Sequence, residues 1–333
     1  MSLSVSIHTE ATIFAQLKDE WLALLDRSIT NYLFQTPQFQ AAWWQTLGAG
    51  KLQLIVLRTA EGKLVGLAPF FISAAANNKD ELCFVGCVNV SDYLDLLVDK
   101  EHQTEVYQTL AQVLTTQLTS WKAFYFCSLP AASPTRNWLK QTFLAAQEQQ
   151  QDVSPFINLP ASWEKYLAQL DRKQRHEIRR KLHRLAEVDH QFELISLEEE
   201  VLEALPDFIK LHQASSAKKK DFWDGNHLRF FSTFIPQAAK AGWLRLHFLK
   251  LERKRVAAML GFAYNGQFLL YNSGFDPTQF NHLGTGTLLT AHTIQVAIAN
   301  QNLVYDFLRG DEEYKFRFGA TSKPVFDISL TKN

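Results

Sequence analysis

Near its C-terminal end the sequence reads NHLGTGTLLTAHTIQVAIANQNLVYDFLRG, and Gly284 and Gly286 stand where an apolar helix is about to begin. Glycines at a helix entrance let the backbone approach a ligand closely. The free first-turn N–H groups and the positive end of the helix dipole suit an anionic phosphate. Thr285 and Thr287 can add hydroxyl donors, and Asn281 opens the spacing Asn-x-x-Gly-x-Gly. That spacing lacks the third glycine of the dinucleotide fingerprint and the Lys-Ser/Thr pair of the P-loop, which disfavours nucleotide hydrolysis. A tight loop–helix junction that needs glycine only for geometry is the competing reading. Further on, Asp306 alternates within an apolar strand, where burial and pairing are expected because an unpaired buried carboxylate is costly. Arg309, Asp311, Glu312 and Glu313 follow the strand end, the place where open α/β sheets put ligand-binding groups, although a solvated loop shows the same charges.

Other candidates lie upstream. In the stretch 163–188, Leu167, Leu170, Ile178, Leu182 and Leu185 recur at helical spacing, which predicts one amphipathic helix. Arg172, Arg175 and Arg179 stand a turn apart on its other side, a face for phosphates or simply for water. In NVSDYLDLLV, Asp92, Tyr93 and Asp95 adjoin an expected strand, with Asp92 and Tyr93 on opposite faces. The two aspartates suit a cationic or amine-bearing ligand, or else act as turn and capping residues. Trp223, in the aromatic run FWDGNHLRFF, packs on a sheet or lines a groove. The histidines show no metal spacing, so no metal is expected. Cys83, Cys87 and Cys127 lack a paired CxxC and read as reduced thiols, the first two on one strand face.

These residues need a frame. LQLIVLRT and LVGLAPFF read as strands of a hairpin, and LRLHFLKL with RVAAMLGFAY forms a second hairpin at a constant offset that aligns Leu57 with Leu249 and Lys63 with Arg255. Each is followed by a strand, an amphipathic helix and a further strand: YLDLLV, 101–118 and AFYFCSL early, then QFLLYNSGF, 284–300 and LVYDFLRG late. The fold class is therefore α/β, with two related domains. The Gln-rich AAQEQQQDVSP at 145–155 suggests a boundary, giving domains 1–155 and 156–333. The first holds ten Lys/Arg against fourteen Asp/Glu, and the second twenty-four against twenty. With 34 basic and 34 acidic residues the chain is neutral overall, which argues against a dedicated polyanion binder. The longest apolar run, 65–76, is too short for a membrane span and is broken by Pro69. A cytoplasmic location is expected, and the oligomeric state is open.

The Asn281–Gly286 turn is similar to the pyrophosphate-binding turn of GNAT-superfamily acyltransferases, with Asn281 in place of the usual Gln or Arg. SDYLDLLV, DRKQRHEIRRKLHRL, YNSGFDP and YDFLRGDEEYKFRFGA resemble, in order, the CelD-like acetyltransferases, which are related to the FemABX peptidyltransferases. The resemblance implies two GNAT-like domains in tandem, each a mixed, mostly antiparallel twisted sheet flanked by helices. It implies an acetyl-CoA or other acyl-CoA co-substrate, held by Asn281, Gly284, Thr285, Gly286 and Thr287. It also implies transfer of the acyl group to an amine, with the backbone of 270–273 polarising the thioester carbonyl. By the same resemblance Tyr314 is the acid for the leaving thiolate, Lys315 stabilises charge or forms a structural ion pair, and Asp306 completes the catalytic set. One carboxylate of the 309–313 loop can take the amine proton. The first domain has no comparable glycine entrance, so it is expected to shape an acceptor cleft with Asp92, Tyr93 and Asp95. Arg175, Arg179, Trp223, Arg309 and Asp311 are the remaining substrate candidates. The acceptor is a small-molecule amine such as an amino sugar. The alternatives are a FemX-like enzyme using aminoacyl-tRNA, whose phosphates the arginines would meet, and a silent GNAT-like binding module.

Overall fold

The computed structural model describes residues 3–75, 80–87 and 90–332, without the side chains of Lys218 and Asn281. Its strands are β1 (Ser4–His8), β2 (Gly50–Arg58), β3 (Leu64–Ser73), β4 (Glu81–Phe84), β5 (Leu97–Val98), β6 (Ala123–Pro130), β7 (Gln147–Asn158), β8 (His190–Ile195), β9 (Leu244–Leu251), β10 (Lys254–Tyr264), β11 (Gln267–Phe275), β12 (Val304–Asp306) and β13 (Thr321–Thr331). The helices of the first half are α1 (Ile13–Gln16), α2 (Lys18–Arg27), α3 (Pro37–Thr46), α4 (Gln103–Gln112) and α5 (Pro134–Thr142). Those of the second are α6 (Trp163–Gln169), α7 (Arg172–Leu185), α8 (Glu198–Ser215), α9 (Ala217–Phe222), α10 (Gly225–Lys240), α11 (Thr285–Ala299) and α12 (Glu313–Arg317). The chain divides into two units, Met1–Asp152 with Pro324–Asn333, and Val153–Lys323.

In the first unit the strand order is β1-β2-β3-β4-β6-β13, with β5 paired to β3. β2 and β3 form an antiparallel hairpin, while β4 and β6 run parallel across α4. β3 is buried along its whole length, as a continuous apolar run in a strand covered on both faces should be. In the second unit the order is β7-β12-β11-β10-β9-β8. The β9–β10 hairpin turns through Glu252 and Arg253, both at positive φ, the backbone a two-residue hairpin loop requires. β11 and β12 run parallel across α11. Leu288, Leu289, Ile294 and Ala297 of α11 are buried in one core with Met259, Phe268 and Tyr305. Each unit thus has the order hairpin, strand, helix, parallel strand expected from the repeat.

Several expectations are corrected. The last ten residues belong to the first unit, because β13 pairs with β6 and buries Val325 and Ile328 there. The Gln-rich stretch 145–155, expected to mark a boundary, lies largely in strand β7, and the two units divide within it at Asp152 and Val153. In the first unit the strand after the hairpin is β4, and only Leu97–Val98 of YLDLLV is strand. The predicted 163–188 helix is two helices: Leu170 is extended and the Asp171 carboxylate caps α7 by accepting the Gln174 N–H at 2.8 Å. Cys87 and Cys127 are not free thiols but are joined in a disulfide, with Cα atoms 5.9 Å apart, while Cys83 is buried and free. β4 ends at Phe84 and Gly86, at φ +102°, turns the chain, so Cys87 leaves the strand that carries Cys83.

Candidate active site

Strands β11 and β12 pair only through Gln267–Leu269 and Val304–Asp306. β11 continues to Phe275, held on its far side by β10. Beyond Asp306 the chain follows the other neighbour instead: the Phe307 N–H donates to Pro155 O and the Gly310 N–H to Val153 O, both at 2.9 Å. The two parallel strands therefore part as a V. Among the described residues the β11 edge from Leu270 onward has no strand partner on the β12 side. A β-bulge sits at this point, since Leu260 faces Asn272 and Gly261 faces Leu270, which leaves Tyr271 as the extra residue. Such a bulge re-aims backbone groups at the edge.

Side chains from three helices converge on this edge. Tyr314 of α12 shares a hydrogen bond with the Ser273 side chain. Burial, helped by the charge of Glu312, pushes its phenol well above the ordinary range, partly opposed by the Ser273 bond, so it stays protonated as a potential acid. The Lys219 ammonium of α9 donates to the Ser273 carbonyl oxygen. Burial lowers its pKa, and the Glu312 carboxylate counteracts this. His212 of α8 lies against the neighbouring position: the Trp223 indole N–H donates to Nδ1 at 2.9 Å, and Nε2 lies 3.2 Å from Asn272 Oδ1. Because an indole only donates, Nδ1 must accept, so Nε2 carries the proton and donates to Asn272. Burial, then the charge of Lys219, lowers the His212 pKa to about 4, consistent with a neutral ring. α8 comes this close because position 274 is glycine, where a Cβ would overlap the His212 backbone.

The loop before α12 is tied down by two buried charges. Lys315, 3% exposed, donates to the carbonyls of Leu308 (3.3 Å), Arg309 (3.0 Å) and Gly310 (3.0 Å) and pairs with Glu312 at 2.8 Å. Asp306 is fully buried; Oδ1 accepts the Leu308 N–H at 2.8 Å and the Ser154 hydroxyl at 3.3 Å, and Oδ2 binds Lys323 at 3.1 Å. Both residues are occupied in shaping the turn that carries Tyr314.

At the head of α11, Gly284 has φ +70°, and among the described residues no side chain caps the first turn. The amides of Thr285, Gly286 and Thr287 are therefore left for another acceptor. Thr285 is buried (2% exposed), whereas Thr287 is half-buried. The Lys181 ammonium of α7 donates to Leu283 O at 3.2 Å, and a Cβ on Gly284 would run into it. Uncapped amides, a left-handed glycine and an ammonium group suit an anionic ligand. The side chain of Asn281 lies outside the described residues. On α7, Arg172, Lys173, Arg175, His176 and Arg179 line a cavity of about 600 Å³.

The remaining candidates are dispersed. Trp223 is half-buried in a ring cluster with Phe208, Phe222 and Phe231, and it orients His212. Arg309 is half-buried and Asp311 exposed; Glu312, two residues from Gly310, is the carboxylate that meets the cluster. In the first unit, residues 91–96 are irregular, which corrects the expected strand. Tyr93 is packed against Tyr32 and Phe34 with 1% exposure, and Asp95 is 2% exposed, so neither presents its side chain to a ligand. Asp92 is half-buried. Lys219, Ser273, His212 and Asn272 were not singled out by their side chains in the sequence; the run Tyr271–Pro277 held the only signal.

Residues 172–316 match the acetyltransferase (GNAT) domain family. No curated protein matches the chain in sequence. Among solved structures, FemX superposes with a TM-score of 0.68 at 11% identity, covering 99% of this chain and 98% of its own. A conserved protein of unknown function from Bacteroides thetaiotaomicron gives 0.66 at 14% identity, covering 98% and 100%. A tandem GNAT protein from the clavulanic acid biosynthesis pathway gives 0.51 at 11%, covering 98% of each chain. No helix among the described residues is long and apolar enough to cross a membrane. Residues 172–316 thus match a GNAT acetyltransferase domain, and along its length the chain is similar in fold to FemX.

Proposed function

We propose that the second unit transfers an acyl group from a coenzyme A thioester to the amine of a small acceptor, an amino sugar being the preferred class. The observation that carries this reading is the parting of β11 from β12 beside the uncapped start of α11. An extended pantetheine arm can lie along the free β11 edge while its pyrophosphate takes the amides of 285–287 and the Lys181 charge. Backbone N–H groups at 270–273 then polarise the thioester carbonyl, where negative charge develops as the amine attacks. The new C–N bond forms as the C–S bond breaks. Glu312 takes the amine proton, and Tyr314 gives its own to the departing sulfur. His212 holds Asn272 and Lys219 holds the Ser273 carbonyl, which fixes the edge that the thioester must meet.

A second reading, aminoacyl transfer from charged tRNA, is favoured by the cationic face of α7 and its cavity. Calorimetric titration separates the two. Coenzyme A and acetyl-CoA are expected to bind with a Kd on the order of micromolar. Gly286→Val should weaken binding at least tenfold, since a side chain in the first turn obstructs the phosphates. Gly286 is the better target than Gly284, whose positive φ would strain any replacement. Absence of binding at ~1 mM ligand by the folded wild type would overturn the reading and favour tRNA.

A further inference from the structure

The first unit has a groove between α4 and α5 whose chemistry differs from every other concavity described above. It encloses about 430 Å³, within the ~300–1,000 Å³ of small-molecule sites. α4 contributes Gln103, Tyr107, Gln108 and Ala111, spaced so that they share one face. α5 contributes Asn137, Trp138 and Gln141 from its facing side, and among the described residues no charged side chain lines the groove.

The two helices are not short of charge. Arg136 and Lys140 on α5 both pair with Glu148, at 2.9 and 3.0 Å, and Arg136 also sits 3.5 Å over the Phe326 ring. The cations are thus committed elsewhere, and uncharged residues are left facing the groove. Its floor holds an aromatic platform: the Trp138 and Tyr107 rings stack with centroids 5.1 Å apart. The Tyr107 hydroxyl bonds the buried Thr135 hydroxyl at 3.0 Å, so that ring is fixed in place. Around the platform the amides of Gln103, Gln108, Asn137 and Gln141 have no hydrogen-bond partner among the described residues, and Ala111 leaves depth between the helices. A groove of this kind offers an apolar ring face to C–H groups and rigidly spaced neutral donors and acceptors to hydroxyls. A phosphate or carboxylate would find no counter-charge there, and an apolar peptide face would leave the amides unpaired.

We infer that the α4–α5 groove of the first unit binds a neutral oligosaccharide, with a sugar ring stacked on Trp138 and its hydroxyls bonded by the flanking amides. The inference stands on the first unit alone and is independent of the acyl-transfer reading of the second. The test uses the full chain with three probes, tetra-N-acetylchitotetraose, cellotetraose and maltotetraose, by saturation-transfer NMR and calorimetry. At least one is expected to bind with a Kd near or below ~1 mM. Trp138→Ala should weaken that binding at least tenfold, and Asn137→Ala/Gln141→Ala, two exposed positions that leave the core intact, severalfold. If Trp138→Ala fails to fold by circular dichroism, the double variant decides. The proposal is overturned if none of the three shows saturation transfer at ~10 mM, or if the bound sugar is unaffected by both variants.

Discussion

In the proposed reaction Tyr314 is the residue on which the chemistry turns. Its hydroxyl meets Ser273 at the free strand edge, and burial keeps it protonated. Tyr314→Phe keeps the ring and loses only the proton donor. It should lower kcat by about 10²–10³-fold in thiol-release kinetics while leaving the KM for acetyl-CoA within about twofold. A large KM change with kcat intact would mean that the residue serves binding. Asp95 gives a prediction of another kind. Burial raises its carboxyl to about 6, against the ordinary value near 4 in the unfolded chain, with the bond from the Leu96 amide and neighbouring hydroxyls opposing. The folded unit therefore holds this proton more tightly. Stability from the protonated group is fully present below about pH 4 and is lost as pH rises through 6. Asp95→Asn should stabilise the first unit at pH 7.5, by roughly 2 kcal/mol, and have little effect at pH 4, which thermal melts at the two pH values will show.

Among the elements, α8 and β11 have the closest fit. Gly274→Ala would force a Cβ into the backbone of His212, and a backbone has no rotamer to yield. A loss of about 3 kcal/mol in denaturant unfolding is expected, whereas Gly225→Ala, with open space around it, should stay within about 0.5 kcal/mol. The same contrast explains what was legible beforehand. The β2–β3 and β9–β10 hairpins and α11 could be read because alternation and an unbroken apolar run are local signals. β7 escaped because Gln147–Asp152 carry no alternation: strand pairing, not a side-chain pattern, makes that segment extended. The break between α6 and α7 escaped because the leucine spacing runs across it and Asp171 looks like one more charge until it is seen capping Gln174. Of the candidate site, the glycine turn and Tyr314 stand out in the sequence as a motif. Lys219 and His212 do not, since they reach Ser273 and Asn272 from helices more than fifty residues away in sequence.

For the whole molecule, the same strand order is used twice and given different work. In the second unit the parting of β11 from β12 opens beside a helix with an uncapped start. In the first, β4 and β6 pair in parallel across α4, and the notable concavity is instead the neutral groove between α4 and α5. The proposed acyl chemistry therefore belongs to the second unit alone. Hydrogen–deuterium exchange of the full chain, with and without saturating coenzyme A, tests that assignment most directly, because it reads which backbone amides the ligand covers. Protection should appear in the β11 edge at 270–275 and in the first turn of α11 at 285–288, with the first unit unchanged. Protection confined to the basic face of α7, or none in the presence of bound ligand at either segment, would contradict it.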